Sequence, residues 1–486
     1  MQTKFLWGGA ISAGQTEGNS NHAKSKLSNF DMLPMDKRRL QLVYRDDDNN
    51  IFNTYNNDHH PSDLGIDFYH TYIQDIKLLH DLGINAFRFS ISWTRLFPTG
   101  EETTPNRDGM NFYRGIFREL KKYNMEPIVT LSHFEIPLNL VTKYGGWSNR
   151  KVIDLFLHYT NSVMTEFSEY VDYWIPFNEL NMILHIPFIG GGLIFTKEDN
   201  ILQKEYQAAH YQLLANSLVI KQGRKINREF KFGCMIAAGR TYPYSPNPED
   251  VWAANLSDRK ALLFSDVQVR GNYPSYFNNL CKQNNLTLDI TSDDLQLLKN
   301  NTVDFVSFSY YSSACSAADG DRLEHTATNG FETVKNPYLS NEDGVWQIDP
   351  LGLRITLNQL YERYEKPVFI VENGLGTTKD RVTNGKIHDP YRIKYLEQHF
   401  SEMRKAVEED GIPLIGYLMW GVIDLVSVSE GKMSKRYGVI YVDLDDFENG
   451  TNKRIKKDSF FWFKNYLSLN SLGENNNEKR LSKISH

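Results

Sequence analysis

The chain has 486 residues; at roughly 150 residues per domain that allows three domains, although a single α/β barrel with insertions can exceed about 400. It carries 54 Lys and Arg against 60 Asp and Glu, a net charge of −6, with 41% hydrophobic and 23% charged residues. Those values exclude a disordered or collagenous chain and argue against broad nucleic-acid or anionic-membrane binding. Aromatic residues (8 Trp, 27 Tyr and 28 Phe) make up 13%, enough for a large core and for a site lined with flat rings.

In chain order, the apolar run 5–13 follows only Lys4 and is interrupted by two glycines and a Trp, so it reads as a buried first strand at 5–10 rather than a signal peptide. Asp67 is placed to cap a helix whose apolar stripe is Phe68, Tyr72, Ile76 and Leu79 and which ends at Gly83. A strand at 85–93 follows, then a helix marked by Phe112, Ile116 and Leu120, and a strand at 127–131. Val152, Phe156, Tyr159, Val163 and Phe167 mark a third helix before a strand at 171–177. Further buried strands are predicted at 231–237, 303–310, 367–371 and 414–420. The apolar stretch 411–423 is too short to span a membrane. Eight strands alternating with helices predict an α/β fold, a single (β/α)8 TIM barrel over 1–471 with long βα loops. The polar segments 19–62 and 317–349 are expected to be loops at the binding end, and 472–486 a polar C-terminal tail.

Barrel active sites lie at the C-terminal ends of strands. Strand four ends in Asn178-Glu179 and strand seven in Glu372-Asn373-Gly374, so a closed barrel turns both glutamates into one mouth. Two carboxylates flanking a cleft suit glycoside hydrolysis, in which one protonates the leaving oxygen and the other attacks or activates water. A single strand-end Glu is more often an ion-paired rim residue; two, each beside Asn, are harder to assign that way.

The chain resembles glycoside hydrolase family 1 over nearly its full length. The resemblance rests on Phe5-Leu-Trp-Gly-Gly9, Gln15-Thr-Glu-Gly18, Phe87-Arg-Phe-Ser-Ile-Ser-Trp93, Leu131-Ser-His-Phe-Glu-Ile-Pro137, Phe177-Asn-Glu179 and Ile370-Val-Glu-Asn-Gly374. It implies a retaining mechanism with Glu179 as general acid/base and Glu372 as nucleophile, their carboxyls about 5–5.5 Å apart. Arg88 matches the family's arginine beside the nucleophile, where a cation lowers a carboxyl pKa. Tyr311 matches the tyrosine that hydrogen-bonds the nucleophile. Gln15, His133 and Asn178 match positions that bind sugar hydroxyls, and Trp420 the platform beneath the ring. One departure is Ser309, where the family commonly has Asn; a shorter hydroxyl there puts one support of the network in question.

After strand eight, Ser427 and Val428 stand where ordinary β-glucosidases of the family carry Glu-Trp. Serine removes a carboxylate that would repel a phosphorylated sugar, while Lys435 and Tyr437 offer a cation and a phenol to phosphate. This set resembles the 6-phospho-β-glycosidases and implies a 6-phospho-β-glucosidase without metal or cofactor. Its expected partner is a small phosphorylated β-glucoside, not nucleic acid or membrane. Val428, in place of a Trp common in 6-phospho-galactosidases, favours glucosides. The competing reading of Lys435-Arg436 is a solvated turn, and Lys453-Arg454-Ile-Lys456-Lys457 is likewise expected to be a solvated loop or helix lead-in. Two alternatives remain open: a 6-phospho-β-galactosidase, and a non-catalytic barrel that binds phosphosugars. Cys234, Cys281 and Cys315 form neither a CxxC pair nor an even framework, which with the expected substrate points to the cytoplasm. The sequence is compatible with a homo-oligomer.

Overall fold

The computed structural model describes residues 4–18, 27–35, 39, 59–328, 331–341 and 344–469. Eight parallel strands close into a barrel: β1 Leu6–Ala10, β2 Ala86–Ser90, β3 Glu126–Ser132, β4 Tyr173–Phe177, β5 Lys231–Ala237, β6 Phe305–Tyr310, β7 Val368–Asn373 and β8 Leu414–Trp420. Each pairs with its sequence neighbour, and β1 joins β8 with Ala10 opposite Trp420. Strands covered on both faces are almost continuously apolar; β2, β6 and β7 are buried throughout. That is why each of the eight predicted runs overlaps an observed strand, although the second strand ends at Ser90 and Trp93 opens a short helix, Trp93–Leu96. Closure at β1 demands glycine: a Cβ at Gly8 would lie 2.5 Å from the Ala86 carbonyl oxygen.

The main outer helices are α1 Phe68–Leu82, α2 Arg107–Lys122, α3 Lys151–Glu166, α4 Ile201–Ile226, α5 Pro248–Arg270, α6 Pro350–Tyr364, α7 Pro390–Glu408 and α8 Asp458–Leu469. The stripe Phe112, Ile116 and Leu120 of α2 faces inward, and Asn106 caps that helix by accepting from the Gly109 amide at 2.9 Å. At α1 the stop signal operates as read, with Gly83 left-handed at φ 96°. The start signal does not. Asp67 adopts φ 56° and its carboxylate pairs with His70 Nδ1 at 2.6 Å, so it gives α1 no side-chain cap.

The basic cluster near the C-terminus is corrected in part: Lys453 is exposed and Lys457 leads into α8, but two of its cations are buried. Arg454 lies on a strand, Gly450–Lys456, and its buried side chain pairs with Asp75; Lys457, fully buried, pairs with Asp380 and Asp424. Charges taken out of water need such partners, and all three aspartates are remote in sequence. Lys435 and Arg436 are each only 5% exposed, so the solvated-turn reading fails there too. Segment 317–349 follows β6 at the C-terminal rim and carries short strands, His325–Ala327 and Glu332–Val334. Most of the 19–62 segment and the whole 472–486 tail lie outside the described residues.

Candidate active site

Glu179 stands just beyond β4, where the chain turns sharply with Glu179 at φ 35° and ψ 55°. A non-glycine residue in this region stores on the order of 1–3 kcal/mol of strain and persists only where its surroundings hold it. Glu372 lies within β7, opposite Ser309 of β6, immediately after a register shift between Ile370 and Glu372. A bulge of this kind re-aims a strand side chain. Both carboxylates line one cavity with Gln15, His133, Asn178 and Trp420.

Each oxygen of Glu372 has its own donor. Arg88 Nη1 donates to Oε1 at 2.6 Å, and the Tyr311 hydroxyl donates to Oε2 at 2.8 Å. Arg88 is itself immobilised, giving Nη2 to Asn178 Oδ1 at 2.7 Å and Nε to Thr130 Oγ1 at 2.9 Å. Ser309 Oγ donates to Glu179 Oε1. The serine that departs from the family pattern therefore sits between the two acids and supports one directly.

These contacts set the two carboxyls apart. Burial raises the pKa of Glu372, and Arg88 and Tyr311 oppose the rise. Glu179 is pushed up to about 8 by burial and by the negative field of Glu372, with only Ser309 and the more distant Arg88 acting against it. The guanidinium touches Glu372 and not Glu179, so Glu372 ionises first and Glu179 keeps its proton at neutral pH.

Around the pair, the His133 ring stacks on Trp420 with centroids 5.4 Å apart and planes 11° apart. Burial and Arg88 hold His133 well below its usual pKa, so the ring is neutral. Its Nδ1 has no hydrogen-bond partner among the described residues. Gln15 is more committed than its sequence assignment suggests: Nε2 donates to the Val426 carbonyl at 2.6 Å and Oε1 accepts from Ser12. It thereby ties the start of the chain to the segment after β8.

That segment forms one corner of the cavity. Val428, Ser429 and Tyr437 line the wall, whereas Ser427 and Lys435 stand behind them. Lys435 Nζ donates to Ser429 Oγ at 3.2 Å, and Ser429 Oγ lies 3.3 Å from Ser427 Oγ. The Lys435 ammonium also lies over the Trp346 ring at 5.4 Å and pairs with Glu430 at 3.4 Å. Burial works against its charge, but Tyr437 and Glu430 more than compensate, so its pKa is raised. Arg436 turns away, donating to the Val442 and Leu444 carbonyls. The result is a buried ammonium behind a row of hydroxyls, an arrangement suited to an anion.

A model of glycosyl hydrolase family 1 matches residues 1–472. The chain belongs to glycosyl hydrolase family 1. This family 1 chain is 48% identical over 466 residues to the 6-phospho-beta-glucosidase AscB of Escherichia coli (strain K12), covering 96% of this chain and 98% of that protein. It is 49% identical to the aryl-phospho-beta-D-glucosidase BglH of Bacillus subtilis (strain 168), covering 96% and 97%. Among solved structures, the family 1 b-glucosidase from Thermotoga maritima superposes with a TM-score of 0.81 at 29% identity, covering 96% of this chain and 98% of that one.

Two residues of this family 1 site escaped the sequence reading. Ser429, not Ser427, is the hydroxyl on the cavity wall; the alternation Ser427-Val428-Ser429 was its only signal. Trp346 packs edge-on against Tyr311 at 5.4 Å and beneath Lys435. It is the sole Trp in the long polar segment 317–349, which could have marked it as an anchor rather than loop.

Proposed function

We propose that this family 1 hydrolase is a retaining 6-phospho-β-glucosidase acting in the cytoplasm, with Glu179 as general acid/base and Glu372 as nucleophile. The observation that carries the proposal is the Ser427–Ser429–Lys435–Tyr437 corner beside the two-glutamate cavity. The phosphate replaces Glu430 as the main partner of Lys435 and accepts from the serine and tyrosine hydroxyls. The names of the two relatives agree with this reading.

In the first step a Glu372 oxygen forms a bond to the anomeric carbon as the bond to the aglycone oxygen breaks, and the Glu179 proton passes to that oxygen. In the second, Glu179 takes a proton from water as the water oxygen attacks the same carbon and the ester to Glu372 breaks. Glucose 6-phosphate leaves with its β configuration. Asn178, its Oδ1 held by Arg88, offers its amide nitrogen to the 2-hydroxyl, and His133, Gln15 and Trp420 bind the remainder of the ring. The two carboxylates carry every proton and electron pair, so no cofactor is drawn upon. A sugar phosphate does not cross a membrane unaided, which supports the cytoplasmic reading.

The test is kcat/KM on 4-nitrophenyl β-D-glucoside 6-phosphate, its unphosphorylated parent and the galactoside 6-phosphate. Preference for the first is expected; higher turnover of the unphosphorylated glucoside overturns the phosphate reading, and of the galactoside the assignment made from Val428.

Because only protonated Glu179 can donate, kcat/KM is expected to fall as pH rises through about 8. Ser309→Ala removes a hydrogen bond that favours the carboxylate, so this limb should move to higher pH. A limb unmoved in Ser309→Ala assigns it to another group.

A further inference from the structure

We propose that Arg39 is a positioning residue for phosphate recognition: it clamps the 427–431 loop and supplies positive charge behind it. This rests on the 6-phospho-β-glucosidase reading above. Arg39 is 2% exposed. Its Nε donates to the Val428 carbonyl at 2.7 Å, and Nη1 donates to the carbonyls of Leu33 and Pro34 at 2.9 and 3.2 Å. Val428 is 389 positions away in sequence, so one guanidinium bridges the first βα loop to the last. It also packs against Gly431, where an added Cβ would come within 2.9 Å of Nη1. Val428 and Gly431 bracket Ser429, the hydroxyl on the cavity wall.

The charge of this guanidinium distinguishes a clamp for an anion from an ordinary structural brace. No carboxylate pairs with Arg39 among the described residues, and burial alone lowers its pKa, to about 9. A buried cation without a counter-ion is costly. Tying three carbonyls takes three N–H donors, one more than a side-chain amide offers, but it does not call for a charge. The cost is offset once a phosphate dianion is held on the other side of the same short loop, by an attraction that low-dielectric surroundings strengthen. Lys435 differs in having Glu430 beside it, so among the described residues Arg39 is the cation of this corner left for the substrate to balance.

The test compares Arg39→Gln and Arg39→Lys with the unmodified enzyme on 4-nitrophenyl β-D-glucoside, with and without its 6-phosphate. For Arg39→Gln, KM for the phosphorylated substrate should rise about tenfold or more with kcat little changed, and the loss in kcat/KM should exceed that on the unphosphorylated substrate by about tenfold. Arg39→Lys should recover part of the phosphate preference, because it restores the charge. Equal losses on both substrates in both variants would make Arg39 a plain brace and overturn the inference. So would full retention of the phosphate preference in Arg39→Gln. If Arg39→Gln does not fold, Arg39→Lys decides alone: a loss in kcat/KM larger on the phosphorylated than on the unphosphorylated substrate supports the inference, and equal losses on the two overturn it. Failure of the underlying reading is separately visible, as an unmodified enzyme that does not prefer the phosphorylated substrate.

Discussion

Glu372→Gln is expected to lower kcat/KM by about five orders of magnitude, the scale on which removing an enzymatic nucleophile acts. The amide is nearly isosteric: its single oxygen accepts from Arg88 while its NH2 donates to the Tyr311 hydroxyl oxygen, so the fold should be retained even though Arg88 loses its counter-charge. Azide gives a sharper readout. With Glu372→Ala it should attack the vacated face and yield an α-glycosyl azide from a substrate with a good leaving group. With Glu179→Ala it should intercept the glycosyl ester and yield the β-glycosyl azide. Polarimetry or NMR of the products separates the two, and the opposite pairing would exchange the roles. The assignment rests on the two hydrogen-bond donors that fix Glu372 and on the proton that Glu179 retains to about pH 8.

Ser427→Glu should have the next largest effect. It places a carboxylate at a position 1% exposed to solvent, beside the ammonium and hydroxyls that are to meet phosphate. Repulsion between a buried carboxylate and a dianion, with capture of Lys435 by the new acid, should lower kcat/KM for the 6-phosphate by about 1,000-fold. Lys435→Met removes the cation without adding an anion and should raise KM about a hundredfold, the scale of one strong charge-assisted hydrogen bond. Steady-state rates on both substrates check this. A comparable fall on the unphosphorylated glucoside would mean that the substitutions disturb the barrel mouth and not phosphate recognition.

The barrel was legible because each strand is buried on both faces and so appears as an unbroken apolar run bounded by turn residues. The two glutamates were legible because their strands end on them. Legibility stopped where long-range partners decide. Lys457 reads as solvated until Asp380 and Asp424 are brought beside it by the fold. Asp67 has the right residue type for a cap, but its left-handed backbone turns the carboxylate to His70. Ser309 reads as a lost amide support, yet its place in β6, opposite Glu372, brings its hydroxyl to Glu179. The fixing of Ser429 by Lys435, and of Val428 by Arg39, depends on loops meeting across the barrel mouth, which no local pattern encodes.

Covalent trapping tests the central claim most directly. A 2-deoxy-2-fluoro-β-glucosyl fluoride forms the glycosyl ester but hydrolyses slowly, because the fluorine destabilises the cationic transition state of both steps while the fluoride leaves readily. Mass spectrometry of the intact protein and its peptides, after exposure to the reagent with and without a 6-phosphate, reads nucleophile and substrate class together. Rapid addition of one fluoroglycosyl phosphate, on Glu372, with much slower labelling by the unphosphorylated reagent, is the predicted result. Labelling at another residue, or equal rates with the two reagents, would contradict it.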